Sequence, residues 1–306
     1  MSLTSPTISH EIGKAVELFV PSRDECLWRY SYGEKPKPYF HPLRTPAGFC
    51  LSLFEPHDHF WHRGLWFTIK FINGENFWEE HVEHGVQRSP TPPTISHPGS
   101  DLVVIEHQQL WERPNDAGTV FVEQRRIEYR PLSDAAYALD WEIVLVAQSD
   151  LLLDRTPFTT WGGYGGLTMR GNRNWQQTNL LFADGSTSDR PLGVPSNWCD
   201  LSGVFDGGRD STGGVAIFDH PDNVRHPSPW YGGTGSGHYF NAAFLFHEPM
   251  SINEGDSLRF RYRVLVHDGE MDVDALNKAY ELFVSQPVDL LDLDMRRANE
   301  AIPGVD

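Results

Sequence analysis

Three long runs of alternating residues follow one another almost without pause: LVVIEHQQLWE (102–112), TVFVEQRRIEYR (119–130) and YALDWEIVLVA (137–147). A side chain on an extended backbone points to the opposite face from its neighbour, so period-two alternation predicts strands with one buried face. In the third run Tyr137, Leu139, Trp141, Ile143 and Leu145 share a face, with Asp140 and Glu142 on the other. The second groups Phe121, Glu123, Arg125, Ile127 and Tyr129, a mixed face. The connections, PNDAG and PLSDA, are short and turn-prone, which favours antiparallel neighbours. SLRFRYRVLVHDG (257–269) is a further strand, with Leu258, Phe260, Tyr262, Val264 and Val266 together.

Helical signal is scarce. MDVDALNKAYELFVSQP (271–287) is the one strong candidate: Asp272 or Asp274 can cap it, Leu276, Tyr280 and Phe283 share a face, and Pro287 stops it. The helix is expected over about 271–286, and the tail at 288–306 adds a second short helix or packs as an arm. No repeat or low-complexity linker divides the chain, and SPTPPTISHPGS (89–100) reads as a surface loop. The expected architecture is all-β: residues 1–306 as one large antiparallel β-sandwich domain with one or two C-terminal helices.

A formal charge of −17 excludes most nucleic-acid and anionic-membrane partners, which are held by clustered Lys and Arg. The chain carries 10 Trp, 10 Tyr and 18 Phe, rings that fill cores and also suit the C–H faces of sugars. Three cysteines without CxxC spacing make no disulfide framework. The start, MSLTSPTISHEIG, lacks the basic and apolar regions of a signal peptide, and no apolar run reaches the ~18 residues of a membrane span. A soluble, cytoplasmic protein is expected, with a homodimer as a fair guess.

The densest chemistry lies in PHDHFWHRGLW (56–66). If 56–60 is extended, His57 and His59 project to one face and His62 joins them across a turn. Imidazoles grouped in this way suit either a divalent transition metal or proton transfer near neutrality. A hairpin at Asn73-Gly74 would bring Glu79 or Glu80 back to the histidine face as a complementary base. His57, His59 and Glu79 are the candidate metal ligands.

Two more runs are candidate walls of a cleft. FDHPDNVRHPSPWY (218–231) offers His220, Asn223 and Arg225 for hydroxyls or a carboxylate, and Trp230 for stacking. TPFTTWGGYGGLTMR (156–170) offers Trp161, Tyr164 and Arg170 beside glycines that permit close backbone approach. Trp66 is a further stacking candidate. The runs GGYGG and GGTGSG lack the strand-to-helix setting of a phosphate cradle, so no nucleotide cofactor is expected. A GxSxG nucleophile elbow is absent.

KPYFHPLRTPAG (37–48), PHDHFWHRGLWF (56–67) and NGENFWEEH (73–81), with WGGYGGLTMR, DHPDNVRHPSPWY and EPMSINEGDSLRFRYRVLVHDG, resemble the signature of a large bacterial family called PmoA, or methane-oxygenase-like. That resemblance runs from about residue 27 to 285. The ending is similar to that of galactose mutarotase-like β-supersandwich proteins. This second resemblance implies sugar chemistry in an open aromatic cleft, where a His moves one proton and a carboxylate, Tyr or second His the other. The expected activity is therefore His/Glu acid–base chemistry on a small sugar or keto-glycoside, of epimerase, mutarotase, lyase or hydrolase type. A metal-dependent oxidoreductase or oxygenase and a non-catalytic sugar-binding module are the alternatives.

Overall fold

The computed structural model describes residues 5–21, 23–99, 101–156, 163–205, 211–235 and 237–286. Among them, the larger sheet has ten strands, nine in the order Thr187–Ser188, Trp175–Phe182, Trp198–Phe205, Thr212–Asp219, Ser257–Asp268, Ala136–Ala147, Thr119–Ser133, Val103–Glu112 and Val86–Arg88, with Thr94–Ser96 paired off this path. The alternating runs are its centre and pair antiparallel in the expected way, Ile127 opposite Trp141 and Trp141 opposite Tyr262. Thr94–Ser96 ties part of the expected 89–100 loop to Val103–Glu112.

The second sheet has nine strands among the described residues, in the order Thr7–Glu11, Ala15–Phe19, Trp28–Ser31, Tyr39–Leu43, Leu65–Ile69, Gly165–Arg170, Tyr239–Ala242, Pro229–Gly233 and Leu192–Pro195. Phe40 of this sheet meets Trp141 of the other with ring centroids 5.5 Å apart, and Phe67 meets Phe260 at 5.3 Å. Tyr137, Leu139, Trp141, Ile143 and Leu145 all lie in the shared core. Each such large side chain removed from water contributes roughly 1.5–3 kcal/mol, which holds the two sheets face to face. The fold is an antiparallel β-sandwich.

The mixed face of the second run is buried with its charges. Arg125 Nε donates to Glu123 Oε1 at 2.6 Å, Trp111 Nε1 donates to Glu123 Oε2 at 2.7 Å, and Arg125 lies over the Trp141 ring. The pair survives between the sheets because its partners replace the water it loses.

One α-helix, Val273–Ser285, is present among the described residues. Asp272 is the cap, accepting from Ala275 N at 2.8 Å, and Leu276, Tyr280 and Phe283 are buried against Trp198, Phe218 and Leu265 of the larger sheet. The expected tail helix at 288–306 lies outside the described residues. No helix among the described residues is long and apolar enough to cross a membrane.

Candidate active site

The outer face of the nine-stranded sheet carries the site, and strand parity selects its residues. Trp66, Thr168, Asn241 and Tyr231 stand opposite one another on four adjacent strands, and Arg170 stands opposite Tyr239 in the next row. The intervening residues Phe67, Met169, Phe240 and Trp230 point into the core. Trp230 is therefore not a stacking surface for ligand: it is 0% exposed and donates through Nε1 to Ser196 O at 2.9 Å. Its neighbour Tyr231 takes that place.

Residues 56–62 are not extended. His59 N donates to Pro56 O and His62 N to His59 O, both at 2.9 Å, so two consecutive turns fold the segment over the sheet. The expected grouping of His57 with His59 fails for this reason: His57 is exposed, while His59 and His62 come together with ring centroids 4.8 Å apart. The loop is fastened from below. Glu55 N donates to His62 O at 3.0 Å, and buried Arg63 ion-pairs with both Glu55 and Glu80.

Across from the histidines, the expected hairpin forms at Asn73 (φ 50°) and Gly74 (φ 80°), joining Phe71–Ile72 to Glu75–Asn76. Asn76 Oδ1 then accepts from Trp78 N at 3.0 Å and Glu79 N at 3.1 Å, presenting Trp78 and Glu79 to the site. Glu80 points away from it, held between Lys37 and Arg63, and is not available as the complementary base. Glu79 does reach the site, ion-paired with Lys70.

Together these elements enclose a cavity of about 530 Å³. His59, His62, Glu79 and Arg170 line it with the rings of Trp61, Trp78, Tyr164, Tyr231 and Tyr239, and Asp58, Asp189 and Arg190 stand at its edge. Trp66, 0% exposed, lies within the wall, its ring 5.2 Å from that of His62. Trp161 lies outside the described residues. Trp61, Trp78, Tyr231 and Tyr239 were not singled out from sequence; the alternation of HYFNA, with Tyr239 and Asn241 opposite in facing to Phe240 and Ala242, is the signal that could have found Tyr239.

Several polar atoms of this wall have no protein partner. Among the described residues His62 Nδ1, Arg170 Nε and His59 Nδ1 are buried without a hydrogen bond, the Asp58 carboxylate lying 3.4 Å from the last. The His62 ring stacks on Tyr239, centroids 5.4 Å apart and 21° between planes. Burial, reinforced by the positive charge of Arg170, holds the His62 imidazole well below its ordinary pKa, so it is neutral at pH 7. Burial pushes the Tyr239 phenol well above its ordinary value, so it keeps its proton. A neutral imidazole thus stacks on a protonated phenol.

The donors expected for a metal do not converge. His57 is exposed, Glu79 is committed to Lys70, and no group of three or more His, Cys, Asp or Glu side chains is arranged for an ion among the described residues.

Of the 218–231 run only its last residue, Tyr231, reaches this wall. His220 is packed edge-on against Phe283 of the helix, centroids 5.3 Å apart, and accepts from Asp222 N at 3.1 Å. Asn223 bridges Asp219 Oδ1 and the backbone of Arg261, and Arg225 donates to the carbonyls of Phe244, Glu248 and Pro249. These polar groups are satisfied by the protein itself, and the segment is a strut between sheet, loop and helix.

Residues 18–281 match the family of unknown function DUF6807. The chain belongs to that family. DUF6807 carries no methane-oxygenase-like name in this match. A comparison with curated proteins gives no match. Among solved structures, the chain is similar to a galactose mutarotase related enzyme from Lactobacillus acidophilus, at 8% identity and a TM-score of 0.34 over 87% of this chain and 99% of that one. The Slr1438 protein from Synechocystis sp. PCC 6803 aligns at 10% identity and a TM-score of 0.36, over 88% and 99%. Heparan sulfate lyase HepC from Pedobacter heparinus aligns at 10% identity and 0.32, over 84% of this chain and 30% of its own. As a member of DUF6807, the chain places its histidine pair and its aromatic cavity within the matched span.

Proposed function

We propose that the protein is a carbohydrate-active enzyme that performs general acid–base chemistry on a sugar or keto-glycoside, as an epimerase, mutarotase, lyase or hydrolase. One observation carries this reading: buried hydrogen-bonding atoms of His62 and Arg170 have no partner among the described residues and, beside His59, meet in one cavity walled by aromatic rings. A buried polar atom left without a partner costs about 1–3 kcal/mol, and a hydroxyl-rich ligand removes that cost while its C–H faces stack on Trp61, Trp78 and the tyrosines.

The stacked His62–Tyr239 pair supplies the two roles. Neutral His62 can accept a proton, and Tyr239, which keeps its own, can donate one to a ring or glycosidic oxygen. His59 stands beside His62 as the second imidazole, and Glu79, held by Lys70, fixes the edge of the pocket. We place this activity in the cytoplasm, a reading that the free thiols of Cys26, Cys50 and Cys199 support.

The test is turnover of a panel of aldoses and keto-glycosides followed by ¹H NMR, with the wild-type protein, His62→Gln and Tyr239→Phe. Conversion of a panel member that drops at least a hundredfold in both folded variants is the expected result. Equal conversion by all three proteins would overturn the assignment.

A further inference from the structure

Arg170 is an unusual residue for this protein. It stands at the end of the strand Gly165–Arg170, is 6% exposed and lines the cavity. Neither a hydrogen bond nor an ion pair reaches its guanidinium among the described residues, and Nε is buried without a partner. Every other arginine of comparable burial is matched: Arg63 with Glu55 and Glu80, Arg125 with Glu123, Arg263 with Asp140. An unmatched buried cation destabilises a fold, and a chain with 42 acidic residues has many ways to supply a carboxylate. Among the described residues no carboxylate pairs with it: Asp58, whose charge does act on the guanidinium, is paired with Arg173.

The surroundings keep the space beside it open. A Cβ at Gly237 would come within 2.0 Å of Arg170 Nη2, so only glycine at that position lets the guanidinium lie where it does. The carboxylates of the cavity are already committed or stand at its edge: Asp58 pairs with Arg173 at 2.5 Å, Glu79 with Lys70, and Asp189 is exposed. Exposed Arg190 adds a second positive charge at the mouth. One buried planar fork with a single unmatched charge fits a monoanion of planar geometry, which two parallel N–H donors can hold. A tetrahedral phosphate does not match that planar fork, and its second charge would face Asp58, Glu79 and Asp189.

We propose that Arg170 is the recognition site for a carboxylate on the sugar, so that the ligand of this cavity is an acidic sugar of the uronate or aldonate class. The inference rests on the sugar-site reading above and narrows it. Arg170 holds the carboxylate, the aromatic rings hold the sugar faces, and His62 and Tyr239 are left free to move protons at the neighbouring carbons and oxygens.

The experiment is calorimetric binding of D-glucuronate, D-galacturonate, D-gluconate, D-glucose and glucose 6-phosphate to the full chain, to Arg170→Gln and to Gly237→Ala. At least one carboxylate sugar should bind the wild-type protein ten to a hundred times tighter than glucose and glucose 6-phosphate, and both variants should lose that advantage. Gly237→Ala displaces the guanidinium while leaving the charge unchanged, so it separates position from charge. Thermal melting supplies a readout that a merely structural arginine would not give: Arg170→Gln should melt at or above the wild-type temperature. Equal binding of glucose and the acids would overturn the carboxylate assignment while leaving the sugar site standing. Preference for glucose 6-phosphate, or a carboxylate preference that persists in Arg170→Gln, would also overturn it. Binding of none of the five would remove both readings.

Discussion

The segments 56–66 and 218–231 are alike in composition, each crowded with His, Asp, Arg and Trp, yet the fold uses them in opposite ways. In the second, Asp219 is fully buried and satisfied three times, by Asn223 Nδ2 at 2.7 Å, Ser228 N at 2.8 Å and His226 Nδ1 at 2.9 Å. In the first, His59 and His62 line an open cavity, and His62 Nδ1 is buried there with no hydrogen-bond partner among the described residues. Density of polar side chains therefore does not mark a site; unsatisfied hydrogen-bonding capacity beside open space does.

The sharpest way to break the comparison is to remove one imidazole from each region. His62→Ala is expected to lower turnover of the proposed sugar substrate by about 10²–10⁴-fold with the fold intact. His220→Ala should change it by less than about twofold, since that ring packs on Phe283. Steady-state rates on the substrate identified by NMR make the measurement, and comparable losses in both variants would erase the distinction.

Stability should reverse the ranking. Asp219→Ala strands buried Asn223 and Ser228 and half-buried His226, and is expected to cost about 3–5 kcal/mol in urea unfolding, with ligand affinity unchanged in the folded fraction. Loss of ligand affinity without loss of stability would return the 218–231 segment to the site.

Acid tests the burial of the histidines across the fold. Burial holds His41 at about 4 and His107 at about 3, and holds His62 well below its ordinary value. The folded state then binds fewer protons than the unfolded chain between those values and about 6.5. Stability should accordingly fall by several kcal/mol, on the order of 1.4 per pKa unit, as pH drops from about 6.5 toward 3–4. His267 acts in the opposite sense: although burial lowers its pKa, the Asp200 carboxylate raises it further, so its contribution is present below about 6.5 and lost as pH rises. Urea midpoints across this range report the sum, and a flat profile would show that the histidines are not buried as described. The smallest expected effect is that of His57→Ala, within about twofold in turnover, because the turns at Pro56 and His59 leave that ring in solvent.

Much of this architecture was legible in the sequence, for reasons visible in particular residues. The alternation of 137–147 and 257–269 fixes which side chains face the core, and Asn73-Gly74 and Asp272 mark a hairpin and a cap through local chemistry. The site was legible only in part. That histidines of 56–66 gather was readable, but which two of them meet depends on the hydrogen bonds of His59 N and His62 N, which no alternation rule foretells. Glu80 and Trp230 were misplaced for a similar reason. Their roles turn on Lys37 and Arg63, 43 and 17 positions away, and on the parity of a short strand whose register is set by Tyr239–Ala242.

Imidazole NMR distinguishes the histidine cavity from the proline-rich strut as the place where ligand binds. Histidine-labelled protein would be titrated with neutral and acidic sugars while each ring is observed. Shifts at His59 and His62 that saturate together, with His220 and His226 unmoved, are the predicted result. Saturating shifts at His220 or His226, with His59 and His62 unmoved, would contradict it.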